Sequence, residues 1–187
     1  MKITVFNTTT GEVLRVVDCS PSEYSLQLLS GDEQYIEGDF DNHYIYEGSP
    51  FELPAQPSQH HIFNYTTKQW EDPRTLADFK DAQWAAIKQA RSQAEYAGFT
   101  WDGSTFDSDA LSQNRITGAV TLAQMSSTFS IGWILKDNTV RILGQSDMLA
   151  VGAALGAHVA AIFAKGVLLR EQIESATTVQ QIEAVVW

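Results

Sequence analysis

The sequence predicts an α+β protein, with a small β-rich N-terminal module followed by a mainly helical C-terminal module carrying two β-hairpins. Three observations lead there. Short β-branched runs separated by turn residues fill the N-terminal third. Beyond them, Ile87, Ala90, Ala94 and Ala97 recur at three-four spacing, and the apolar stretch Met148 to Leu169 is long enough for a single extended helix. Between the two regions Pro50, Pro54 and Pro57 crowd the segment SPFELPAQPS, which cannot be helical and reads as an extended connector. The organisation is therefore an acidic β-rich module over residues 1–58, a hairpin and connector over 59–78, and a helical domain over 79–187.

The elements follow in order. Ile3 and Val5, then Val13 and Val16, flank Asn7-Thr8-Thr9-Thr10-Gly11, the signal of a hairpin. Ser20-Pro21-Ser22-Glu23 has the form of a capping box with proline at the first helical position, starting a short helix that ends near Gly31. Short strands are expected around Tyr35-Ile36 and Tyr44-Ile45-Tyr46, and a hairpin over His61 to Trp70 turning at Thr66-Thr67-Lys68. Thr75 with Asp78 starts a helix that Gly98 stops. Its small-residue stripe lets a partner helix approach closely. Asp102-Gly103 turns a hairpin over Phe99 to Phe106. Ser108 or Asp107 is expected to cap a second helix reaching about Met125, and a hairpin over Phe129 to Leu143 turns at Lys136-Asp137-Asn138. A long helix from about Asp147 to Ser175 and a short one capped by Thr177 or Thr178 complete the chain.

Charge narrows the function. The 187 residues carry a net charge of -11, and residues 1–58 alone hold a net of -8. Nucleic-acid backbones and anionic membrane surfaces select basic faces, so neither is an expected partner. The single cysteine, Cys19, forms no internal disulfide, and Asp18 beside it disfavours a reactive thiolate. The N-terminus lacks the apolar core of a signal peptide.

No motif carries catalysis. Asp102, Asp107 and Asp109 do not follow calcium-loop spacing and read as turn and helix-cap residues. His60 and His61 are neighbours that point to opposite faces of a strand, while His43 and His158 stand alone, so no metal site is expected within one chain. There is no nucleophile elbow, phosphate loop or dinucleotide fingerprint. No cofactor, metal or catalytic residue is assigned, and the protein is expected not to be an enzyme.

Met148 to Leu169 is long enough to span a bilayer. His158 and Lys165 inside it, and its Ala and Gly content, argue instead for a helix buried in a bundle or trimer. Being apolar all round, it needs several neighbours, some from other copies of the chain. The candidate interface residues are Gly152, Gly156, Val159 and Phe163 on this helix, with Trp84, Ile87 and the terminal Trp187. Gly156→Leu is expected to disrupt helix or subunit packing.

Two stretches resemble known proteins. The first runs from the Thr10-Gly11 turn and its flanking strands to Tyr35-Ile36-Glu37-Gly38, and it resembles the start of small proteins encoded beside phage tail-fibre genes. The second comprises Trp84, Ile87-Lys88, Arg91, Asp102-Gly103, Phe106 to Asp109, Ser112-Gln113, Ile116 and Gly118. It is similar to an uncharacterised domain of bacteriophage tail and tail-fibre-associated proteins. Together the resemblance covers about residues 1–50 and 60–187. It implies a virion structural component adapting or attaching a tail fibre to the baseplate, located in the tail and, during assembly, in the host cytoplasm. Its partners would be other tail, fibre or baseplate proteins and further copies of itself, with no nucleic acid and no membrane. The alternatives are a fibre-assembly chaperone absent from the mature particle, and a glycan-binding or glycan-cleaving tail protein. The resemblance carries over no catalytic residue.

Overall fold

Ile3 and Val5 are fully buried on one face of β1 (Lys2–Asn7), and Tyr24 packs against both. Burial continues on the other face because β1 is the central strand, flanked by antiparallel β2 (Val13–Asp18) and β3 (Glu33–Glu37). Thr4 is buried there without penalty, since its Oγ1 donates to the Gly38 carbonyl and accepts the Phe40 N–H, both at 3.0 Å. The computed structural model describes residues 1–187 and divides into two units, Met1–Arg74 and Thr75–Trp187.

In the first unit the β1–β2 turn is shaped by Asn7, whose Oδ1 accepts the Thr9 and Thr10 amides at 2.9 Å. Gly11 follows at φ +76°, where a Cβ would sit 1.9 Å from the Ile45 carbonyl oxygen, so only glycine fits. The helix expected after Ser20 is a 3-10 turn, Pro21–Gln27, that ends before Gly31. Glu23 accepts the Ser20 amide at 3.0 Å, so the capping contact forms, but Tyr24 is the segment's one buried residue, too little to support a longer α-helix.

The segment expected as connector begins as a strand. β4 (His43–Tyr46) and β5 (Ser49–Glu52) pair across Glu47 and Gly48, at φ 50° and 77°. Two residues of positive φ make the tight turn that hairpin twist favours. Pro50 lies opposite Ile45, one step from the Tyr46–Ser49 pair that closes the loop, where its missing N–H is not needed. β6 (Ile62–Asn64) and β7 (Gln69–Glu71) form the next hairpin. Tyr44, Phe51, Phe63 and Trp70 join these hairpins through ring contacts 5.4 to 5.6 Å apart.

The second unit is helical with two hairpins. Thr75 caps α1 (Leu76–Tyr96) by accepting the Asp78 amide at 3.3 Å, and Gly98 at φ +98° turns the chain out. β8 (Phe99–Trp101) and β9 (Ser104–Phe106) follow, then α2 (Ala110–Met125), then β10 (Ser130–Ile134) paired with β11 (Val140–Gly144). α3 (Gln145–Ser175) and α4 (Val179–Glu183) close the unit.

α2 is capped by Asp109, whose Oδ1 accepts the Leu111 and Ser112 amides at 2.9 and 3.2 Å, and not by Ser108 or Asp107. Two apolar clusters hold α3. Its N-terminal half contributes Met148, Val151 and Leu155 to a core with Phe99, Phe106, Ile116, Ala119 and Leu143. Its C-terminal half contributes Leu169 and Ile173 to a core with Ile87 and Val185.

Candidate functional site

α3 spans 31 residues, about 46 Å at ~1.5 Å per residue. Asp147 sets its start by accepting the Gly144 amide at 3.1 Å. Its packed side faces α2 along the first half and α1 along the second. The opposite side is open. Leu149, Ala153, Gly156, Ala160, Phe163 and Val167 are all exposed, and their spacing alternates four and three. This is the periodicity of a helix seam that packs against another helix. Lys165, the one charge between Asp147 and Arg170, lies off the seam with its ammonium 4.5 Å from the Trp187 ring centre. Within one chain, α1 and α2 line only one side of α3, and the other side is left open.

The seven candidate interface residues separate accordingly. A Cβ at Gly152 would lie 2.6 Å from Val120 Cγ2, so this glycine serves the α2–α3 contact inside the chain. Gly156 has nothing within 4 Å, which leaves the expected Gly156→Leu effect no basis in helix packing within the chain. Val159 packs against the larger core. Phe163 is 45% exposed and carries the Arg91 guanidinium 4.9 Å from its ring centre. Ile87 is buried, and Trp84 and Trp187 pack beside it, with Arg170 stacked 4.9 Å from the Trp84 ring centre. Trp84, Ile87 and Trp187 therefore stabilise the unit itself, and Gly156 and Phe163 lie on its open face.

A second open feature lies between α2 and β10. Ser112, Arg115, Gly118, Ala119 and Leu122 line one wall of a cleft of about 580 Å³, and Ile131, Gly132, Trp133 and Ile134 line the other, with Asp107 at one end. The size is that of an ordinary ligand site. Sequence reasoning missed this cleft, because its two walls belong to separate elements that meet only in the folded chain.

Four more residues were missed. Ser108 is fully buried, accepts the Gly98 amide at 2.8 Å and donates to the Glu95 carbonyl, linking the end of α1 to the start of α2. Gly166 is buried where the Arg91 stem crosses α3, with its Cβ position 3.2 Å from Arg91 Cδ. Arg141 ties the two hairpins together through the Asp102 carbonyl at 3.0 Å and Ser104 Oγ at 2.8 Å, stacked 4.8 Å from the Trp101 ring centre. Arg115, in the cleft, completes the set. Each is defined by contacts far apart in sequence, and only Gly166, as a glycine inside a helix, left a visible signal.

The remaining polar candidates serve the fold. Asp102 sits at φ 45° in the β8–β9 turn and pairs with Arg141. Ser112 and the capped amides hold the Asp109 carboxyl below its ordinary range. His158 hydrogen-bonds the Glu95 carbonyl at 3.2 Å with its ring against Phe99, and His61 Nδ1 bonds Ser58 Oγ at 2.9 Å. No group of three or more His, Cys, Asp or Glu side chains converges as a metal site would require.

Comparison with known proteins gives one match. The family model described as "Domain of unknown function (DUF4376)" aligns with residues 78–186, more than half of the chain. No curated protein and no solved structure matches.

Proposed function

The chain belongs to the DUF4376 family, and we propose that it is a non-enzymatic structural component of a bacteriophage tail that attaches or adapts a tail fibre to the baseplate as a homo-oligomer. The setting is supported by the resemblance of residues 1–50 and 60–187 to phage tail-associated proteins. The assembly role is carried by one observation, the seam of exposed apolar residues along α3, to which the helix contributes no charged side chain of its own. Obligate interfaces look like a core cut in half, and a continuous exposed apolar strip on a rigid helix has that character.

α3 is also long and apolar enough to cross a membrane. A protein partner is favoured because α1 and α2 already hold one side of the helix and the exposed side is mostly alanine and glycine, which add little to insertion. The open α2–β10 cleft supports a second reading, a fibre-assembly chaperone that holds a partner transiently.

Mass spectrometry of purified mature particles, with copy number measured against a known tail protein, tests the proposal. A fixed small multiple per tail is the expected result. Presence in the lysate and absence from the particle overturns the structural role and leaves the chaperone.

A further inference from the structure

We propose that the groove between α2 and β10 receives an extended segment of a partner protein, added as a strand to the open edge of β10, with one acidic residue of that segment set against Arg115. The site is independent of the phage-tail assignment and of the α3 seam.

The backbone points to this occupant. β10 pairs with β11 on one side only. The Leu135 amide donates to the Thr139 carbonyl at 2.8 Å, and moving in steps of two places Trp133 with Arg141 and Ile131 with Leu143 in the same hydrogen-bonded class. The amides and carbonyls of Gly132 and Ile134 therefore point away from β11. Four consecutive residues, Ile131 to Ile134, line the cleft. Side chains of a strand alternate between faces, so a cleft that meets both parities reaches the strand's edge. An edge with free donors and acceptors inside a groove selects another extended backbone.

The dimensions and chemistry agree. The α2 wall from Ser112 to Leu122 runs about 15 Å at ~1.5 Å per residue, the length of about four to five residues of strand. Gly118 and Ala119 leave room for the incoming chain, and Leu122, Ile131 and Trp133 supply apolar contacts. Arg115 is exposed and takes part in none of the six ion pairs. One carboxylate on the incoming segment satisfies it. Asp107 at the cleft end repels a run of acidic residues, so the segment is apolar with one acidic group. Edge addition gives affinity through the main chain, and the two walls give specificity.

The test uses the full chain against a displayed random octapeptide library. Enriched sequences are expected to alternate apolar residues and to carry one Asp or Glu. Two variants then locate binding of the best synthetic peptide. Gly132→Pro removes an outward N–H without touching the β10–β11 ladder, and Arg115→Gln removes the cation from an exposed helix position. Each is expected to weaken the peptide about tenfold, the effect of one hydrogen bond or charged contact. Hydrogen exchange supplies a readout independent of whether Gly132→Pro folds: peptide should protect the Gly132 and Ile134 amides and leave those of Ile131 and Trp133, already bonded to β11, unchanged. Absence of any enriched sequence, equal binding by both variants, or no added protection at Gly132 and Ile134 overturns the proposal. A dimeric parent that Gly132→Pro converts to monomer also overturns it, by showing that a second copy occupies the edge.

Discussion

Single residues carry more of this fold than their chemistry in isolation announces. Ser108 reads as a surface cap in the sequence, yet its hydroxyl is buried and serves both Gly98 and Glu95. Ser108→Ala would remove a fully buried hydroxyl and its hydrogen bonds to the half-buried Gly98 amide and Glu95 carbonyl, at a cost of about 1–3 kcal/mol. A lower urea midpoint with unchanged slope is the expected result, and an unchanged midpoint would remove the hydroxyl from the account. Glu33 is held below its ordinary 4.5 by the hydrogen bond from Arg15, with help from the Leu29 amide at 2.9 Å. A carboxylate with a depressed folded pKa stabilises above its unfolded pKa and loses that contribution as pH falls through the folded one. Glu33→Gln should therefore be less stable than the parent at pH 7, with the gap closing as pH drops below about 4.5. Unfolding at several pH values reads this directly, and a gap that does not change with pH would uncouple Glu33 from stability.

Elements with local signals formed where the residues placed them. Thr75 and Gly98 bound α1, Asp102-Gly103 turns β8 into β9, and Thr178 caps α4 with Gln181. Caps and tight turns are decided by a few adjacent residues, so they are legible. The 3-10 turn after Ser20 and strand β5 were not, because the first needed more burial than it received and the second depended on where Glu47 and Gly48 sent the chain. The two α3 glycines make the same point. Gly152→Ala forces a methyl against the stiff Val120 side chain, at a net loss of about 1–3 kcal/mol. Gly156→Ala meets nothing and gains helix propensity, raising stability by about 0.5–1 kcal/mol. Thermal melts of dilute protein should shift in opposite directions, and shifts of the same sign would contradict the packing of α3 on α2.

At the scale of the whole molecule, the chain divides at Arg74, inside the segment 59–78 read as hairpin and connector, because the β6–β7 hairpin joins the first unit through Phe63 and Trp70. Acidity concentrates in that first unit, while the second keeps an apolar helix face in the open. If that face joins copies of the chain, one charge at its centre should separate them. Ala160→Glu is expected to convert an oligomeric parent to monomer in analytical ultracentrifugation. An exposed helix position tolerates the change, so the monomer should keep the parent's fold, read as an unchanged far-UV circular dichroism spectrum. A monomeric parent at high concentration, or a variant that assembles equally well, would move the interface away from α3.

The sequence by itself determined the α+β class, the order of nearly every helix and hairpin, and the absence of a recognisable catalytic motif, because periodicity, caps and turns act over a few neighbouring residues. It also marked α3 as too apolar to stand alone. Only the tertiary structure decided which side of α3 is covered, that Gly152 is a contact and Gly156 an opening, and that α2 and the free edge of β10 form a groove. Those outcomes depend on contacts between residues far apart in the chain, and side chains with identical local patterns meet different neighbours once the helices pack.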